Sequence, residues 1–507
     1  MIIEYTQKRD SLDISYVDNN NQIAIEELFL SNGYYSYVEC DESDPNKLPD
    51  LRSFKNSPIK IESAKYFRHH NINEFFNYDI PKNYPLYHEK FSRLAEPNPF
   101  SVDIEVIPTE KYGYSNQIKV ENPITSISIT DKNLNSILFI VKNKSGKNEI
   151  NELDRGFINS ILQDSLKNHY TLHDFGYQIR FFDTESEMLN VFLECINKYF
   201  HLVIGWNVLE YDWQYIFNRC VKIGIDIKKA SPTHKLTKIS IDVNDTTTID
   251  LQVPTHRIIS DYMYLFKNSL IYNNLGSYSL DNVSELILKL HKVKYDGNLL
   301  TLYNNEFLRF IGYALIDTIL VMLIHKITNL LTVDFFQSFY TGVPYLKLSQ
   351  NSISEALVYQ ELRNENLFLL ETEKTKNIQR KYAGGYVKPP LKKIVESVMG
   401  EDFKALYPNS MITMGLSPEA KIDTILTDHN GYPINEEENT KWLKYKAMGY
   451  ALSPLGRVYD VTKDSLYTRI EKKLLAQRNI FQGHANDIYL DIIPKLKKEI
   501  NNRKQLI

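Results

Sequence analysis

The stretch FLRFIGYALIDTILVMLIHKI, residues 307–327, constrains the fold more than any other part of the 507-residue chain. Its apolar side chains fall on nearly every side of a helix, which leaves no broad face for water. Such a helix belongs in the middle of a layered core. Leu315, Ile316, Ile319 and Leu320 surround one carboxylate, Asp317. Burying a carboxylate is costly unless donors or a cation meet it, so Asp317 needs a partner, and a metal ion is one of the few good ones. Tyr313, four residues earlier, shares its helix face. Nowhere are 18 consecutive residues apolar, so the expectation is that no segment spans a membrane.

Other stretches read as strands. FSVDIEV from Phe100 is one. ITSISIT and SILFIVKN, joined by DKNLN, read as a hairpin by alternation. YFHLVIGWN is a buried strand ending in a loop, and EYDWQYIFNRCVKIG is a helix with an apolar stripe, stopped by Gly224. KISIDV and TIDLQV flank Asn244-Asp245 as a second hairpin. Strands first and helices packed afterwards predict an α/β, nuclease-type layer on a mixed sheet. The three cysteines, Cys40, Cys195 and Cys220, are scattered, with neither metal-ligand spacing nor a disulfide framework, as suits a reducing cytosol. The start, MIIEYTQKRD, is polar where a signal peptide is apolar.

Asp103 and Glu105 are two apart on a strand and so share a face. Two carboxylates facing one way repel unless a cation lies between them. Alone, D-x-E also fits any strand that ends at a surface. Asp212 opens the helix after Asn207 and could simply favour a helix N-terminus. Together with Asp317 and Tyr313, these residues fit a two-metal phosphodiester site, because hard cations such as Mg²⁺ take oxygen ligands without His or Cys.

The segments SVDIEV, GWNVLEYDWQYIFNR and YALID resemble, in order and spacing, the three exonuclease motifs of the family B DNA polymerases, D-x-E, N-x(3)-(F/Y)-D and Y-x(3)-D. GWNVLEYDWQYIFNR and SYSLDNVSELILKLHKVKYDG resemble the T-even-like bacteriophage group within that family. The resemblance implies a ribonuclease H-like domain that proofreads 3′→5′. Asp103, Glu105, Asp212 and Asp317 would be ligands of two Mg²⁺, with Mn²⁺ as an alternative. Tyr313 would orient the attacking water, Asn207 would help hold the DNA 3′ end, and the Asn244-Asp245 hairpin would separate strands.

Further on, EDFKALYPNSM resembles the family's first palm motif, D-x-x-S-L-Y-P-S, with Ala405 and Asn409 in place of the two serines. The resemblance makes Asp402 a metal ligand of a synthesis site. Tyr407 would stack under the nucleotide sugar, and amides around Phe403 to Leu406 would meet the dNTP triphosphate. Upstream, KYAGGYV is similar to the Y-x-G-G linker, which places Tyr382, Gly384 and Gly385 along the template strand. In the tail, IEKKLLAQRN resembles the start of the fingers, with Arg478 reaching the triphosphate and Gln482 where the family often has Lys.

A turn near Asp491, with Pro494 opening a second helix, would bring Lys504 level with Arg478. This tail from Ala451 holds 11 basic and 6 acidic residues in a chain of net charge −4. Lys504 begins K-x-x-x, after which the family continues N-S-x-Y-G; no Y-x-D-T-D-S segment is present. The expectation is therefore the N-terminal part of a split phage-type polymerase. Its substrates would be primer-template DNA, a single-stranded 3′ end and dNTP. A second polypeptide would bring the second palm aspartate and the thumb, and the setting would be the infected bacterial cytoplasm. The alternatives are an autonomous 3′→5′ exonuclease and a non-catalytic nucleic-acid-binding fragment. The expected domains are an N-terminal domain over 1–99 with 341–379 as a candidate to complete it, the exonuclease domain over 100–340, a partial palm over 380–464 and partial fingers over 465–507.

Overall fold

A computed structural model describes residues 2–8, 11–30, 34–49, 52–53, 58–64, 94, 96–109, 112–114, 116–142, 148–166, 176–244, 247–269, 271–365, 367–368, 388–389, 397, 399–428, 430–453 and 455–495. They fall into two units, 1–34 with 79–353, and 35–78 with 354–507.

The first unit opens with an antiparallel meander, β1 (Ile2–Gln7), β2 (Ser11–Val17) and β3 (Ile23–Phe29). The central sheet uses β4 (Phe100–Val106), β5 (Ile124–Thr130), β6 (Asn135–Val141), β7 (Gly176–Phe182), β8 (Leu202–Gly205) and β11 (Ile258–Asp261). Its order is β7-β6-β5-β4-β8-β11. The β4-β5 and β5-β6 pairs are antiparallel and the rest parallel. It is the mixed α/β sheet expected. Hairpin β9 (Leu236–Asn244) and β10 (Thr247–Pro254) stands beside it as a separate two-stranded ribbon. Residue 245 at its tip lies outside the described residues.

Strand period dictates the two faces. Val102, Ile104 and Val106 of β4, with Ile127 and Ile129 of β5, are packed with α2 (Glu185–Lys198) and α3 (Trp213–Ile223) in one apolar cluster. The opposite face is polar at its centre. There Ser101, Asp103 and Glu105 on β4 stand across from Thr130, Ser128 and Ser126 on β5. Helix α5 (Phe307–Thr328) packs on this face, flanked by α1 (Glu152–Leu166) and α4 (Leu280–Leu288). By length and apolarity α5 could cross a membrane, yet 78% of its most apolar window is buried within this fold. Its Thr318 Oγ1 hydrogen-bonds Ser128 Oγ at 2.9 Å and Thr130 Oγ1 at 2.8 Å. The helix register is thereby fixed one residue from Asp317, over the strand partner of Asp103.

In the second unit, α6 (Leu406–Met414) follows Ala405, which takes a left-handed φ of 50°. Residues 399–403, which precede it, form no strand. A three-stranded sheet of Lys421–Thr424, Arg457–Tyr459 and Ala451–Leu452 follows. Helix α7 (Leu466–Asp487) does not turn near Asp491 as expected. It runs on through a π-helical turn, Ile488–Ile492, to residue 495. Proline has no N–H to give the ladder, and a wider turn just before Pro494 accommodates that loss without breaking the helix.

Candidate active site

Asp103, Glu105 and Asp317 offer carboxylate oxygens that all lie within 4.8 Å of one another. Glu105 and Asp317 are buried, at 7% and 3% exposure. The sheet supplies the first two by its alternation, and the apolar envelope of α5 drives the third into the same place. Asp212 is buried beside them, but not as a helix cap. It sits at the end of a π-helical turn, Val208–Asp212, and makes no capping bond. Its Oδ1 instead accepts the N–H of Ile104 at 3.1 Å, between Asp103 and Glu105.

Burial raises all four carboxyls, and repulsion within the cluster adds to it at Asp103, Glu105 and Asp212. Asp103 rises to about 7, through burial first and Asp317 second. Glu105 and Asp212 are pushed well above the ordinary range by burial and then by Asp103. Asp317 also rises with burial, opposed by Lys292. Crowding acidic groups where none ionises easily is unfavourable unless positive charge arrives. Lys292 brings one such charge, with Nζ 2.7 Å from Asp317 Oδ2. The other oxygen, Asp317 Oδ1, is buried and has no hydrogen-bond partner. An all-oxygen donor set with one orphaned buried oxygen fits a hard divalent cation.

Tyr313 stands on α5 above Asp317. Lys292 Nζ lies 5.5 Å from its ring centroid, and Tyr295 meets it edge-on, with centroids 5.3 Å apart at 86°. Asn207 takes a left-handed φ of 63° with a buried, unpartnered Oδ1. Asp261 at the end of β11 holds that loop, accepting the N–H of Asn207 at 3.1 Å and of Leu209 at 3.0 Å. Lys292, Tyr295 and Asp261 were not singled out from sequence. Lys292 is one of three lysines in the seven residues LKLHKVK, and nothing in its spacing marks it.

The residues expected of a synthesis site lie in the second unit. Asp402, Phe403, Leu406 and Tyr407 are exposed or half-exposed at the start of α6, with Phe403 at 77% and Tyr407 at 82%. Asn409 Nδ2 donates to the Lys404 carbonyl oxygen at 2.8 Å. Arg478 is exposed on α7. Tyr382, Gly384, Gly385 and Lys504 lie outside the described residues.

Residues 50–283 match the family model described as the exonuclease domain of DNA polymerase family B. That stretch is similar to the exonuclease domain of the family B DNA polymerases. The DNA-directed DNA polymerase of Escherichia phage RB69 is 26% identical over 306 residues, which cover 60% of this chain and 33% of that protein. The DNA-directed DNA polymerase of Enterobacteria phage T4 is 27% identical over 305 residues, covering 59% and 32%. A DNA polymerase of Pyrococcus glycovorans is 27% identical over 320 residues, covering 58% and 38%. The matches thus span about a third of the phage relatives' length. The family model takes in the exonuclease-domain residues Asp103, Glu105, Asn207 and Asp212, while Tyr313 and Asp317 lie beyond its last matched residue.

Proposed function

We propose that the first unit is a 3′→5′ exonuclease acting on single-stranded DNA 3′ ends, and that the second unit holds part of a DNA synthesis site. The observation that carries the first reading is the meeting of Asp103, Glu105 and Asp317 within 4.8 Å, with Tyr313 in electrostatic reach of all three. In this reading Asp103, Glu105, Asp212 and Asp317 hold two Mg²⁺, or Mn²⁺. When bound, the ions stabilise the charge that develops on the attacking and leaving oxygens. Tyr313 orients the water that attacks the terminal phosphodiester. Its P–O3′ bond breaks and a nucleoside 5′-monophosphate leaves. Lys292 offsets the surplus negative charge around Asp317, and Asn207 offers its free Oδ1 to the DNA end.

In the second unit, Asp402 would be one of two metal-holding aspartates for dNTP addition to a primer. Tyr407, the amides from Phe403 to Leu406, and Arg478 would contact the nucleotide. Tyr382, Gly384 and Gly385 would follow the template, and Lys504 would add a triphosphate contact. The second aspartate and the thumb would come from residues outside these 507. Asp402 alone cannot build a two-metal synthesis site.

The test is digestion of a 5′-labelled single-stranded oligonucleotide with Mg²⁺. The expected outcome is stepwise shortening from the 3′ end, reduced at least about a thousandfold by Asp103→Ala/Glu105→Ala. Equal digestion by the folded double variant would sink the assignment.

A further inference from the structure

Tyr313 has no hydrogen bond to another described residue, so ring contacts set the direction of its hydroxyl. Two of those contacts come from one short strap, residues 291–295. Lys292 lies over the ring and Tyr295 meets it edge-on. The strap is itself tied down. The Lys292 N–H donates to Asp281 Oδ1 at 2.8 Å. Arg309, on α5, donates from Nη1 to the Lys294 carbonyl oxygen at 3.0 Å. His291 pairs with Glu285 at 2.9 Å. The strap is thus held at both its ends by α4 and α5, with Lys292 and Tyr295 aimed at the acidic site between.

Tyr295 packs at the edge of the apolar core, beside the acidic site. It is only partly buried, its hydroxyl makes no hydrogen bond to another described residue, and of the charged groups Glu105 acts on it most strongly. An aromatic edge against a ring face is a directional contact. Applied to Tyr313, it limits how far that ring can swing away from the carboxylates. From this we infer that Tyr295 is a positioning residue for the exonuclease reaction, acting through the Tyr313 ring. The inference rests on the proposed role of Tyr313. A water-orienting hydroxyl is useful only while its direction is kept, and small misplacements of reacting groups are costly.

The test is a double-mutant cycle on the full chain, read as single-turnover hydrolysis of a labelled oligonucleotide across DNA and Mg²⁺ concentrations. Tyr295→Ala should lower the maximal rate about tenfold while the DNA KM stays within about twofold. Tyr295→Phe keeps the ring and should stay within about threefold of wild type. Tyr295→Ala/Tyr313→Phe should be no slower than Tyr313→Phe, because the effect travels through Tyr313. Mn²⁺ binding, read by its electron paramagnetic resonance signal, should be unchanged, which shows the acidic cluster intact. Should Tyr295→Ala misfold, Tyr295→Leu replaces it in the same cycle.

Additive losses would overturn the inference, as would a rise in KM alone, which would mark Tyr295 as a direct DNA contact. A Tyr295→Phe as slow as Tyr295→Ala would overturn it too, since the hydroxyl would then be the active feature. If Tyr313→Phe matches wild type, the proposed role of Tyr313 falls and this inference with it. If wild type binds no Mn²⁺ and digests no DNA, the exonuclease reading itself has failed.

Discussion

Lys292 decides how the acidic cluster behaves when no metal is bound. Its ammonium, 2.7 Å from Asp317 Oδ2, is the cation that the buried carboxylate meets within the protein. Removing one partner of a buried pair leaves the other charge uncompensated. Lys292→Met should therefore lose about 3 kcal/mol of stability in EDTA and regain part of it with Mg²⁺, which binds only the folded site. Urea unfolding with and without Mg²⁺ measures both. A variant as stable as wild type in EDTA would show that Asp317 is satisfied some other way. The carboxylates were legible in the sequence because their spacings follow from strand and helix periods. Lys292 and Asp261 were not, because what they do depends on which distant segment lands beside them. Asp212 was half legible. Its place after a loop was clear, but its bond to Ile104 N–H, rather than to its own helix, required the sheet.

Helix α5 carries both the catalytic candidates and a buried titrating group near its other end. His325 is 7% exposed and its Nδ1 meets Tyr262 Oη at 3.0 Å. Burial lowers it to about 4. In the unfolded chain it takes a proton near 6.5, so between about 6.5 and 4 the unfolded state binds more protons. Its contribution is complete above that window and is lost as pH falls through it, by up to about 3 kcal/mol. Asp261 and Asp334, each raised to about 6 by burial, act in the opposite sense over much of the same range. The difference between wild type and His325→Phe isolates the histidine, and Tyr262 keeps Thr328 Oγ1 at 3.2 Å as a partner. Denaturant unfolding from pH 7.5 down to 4.5 should show wild type losing stability relative to the variant. A flat difference would contradict the buried neutral imidazole. Elements such as α5, β4 and the β5-β6 hairpin were legible from periodicity. The π-helical turns at 208–212 and 488–492 were not, since one extra residue per turn leaves no pattern in a short segment.

At the scale of the whole molecule, the acidic residues of the two proposed sites belong to different units. Asp103, Glu105, Asp212 and Asp317 lie in the first, and Asp402 in the second. None of the distances that define the exonuclease cluster involves a residue beyond 353. Each site should then fail alone. Asp402→Ala should digest a single-stranded oligonucleotide within about twofold of wild type, because it removes no group that touches the acidic cluster. Templated addition in a polymerase that also contains the second palm aspartate should instead fall by several orders of magnitude, since one of its two metals loses a ligand. The converse holds for Asp103→Ala/Glu105→Ala, which should extend a primer yet no longer trim it. Running both variants in both assays separates the readings. Loss of digestion in Asp402→Ala would show that the second unit takes part in hydrolysis. Unchanged synthesis in Asp402→Ala would leave EDFKALYPNSM without the role its likeness to the palm motif implies, and the chain would then stand as an exonuclease in its own right.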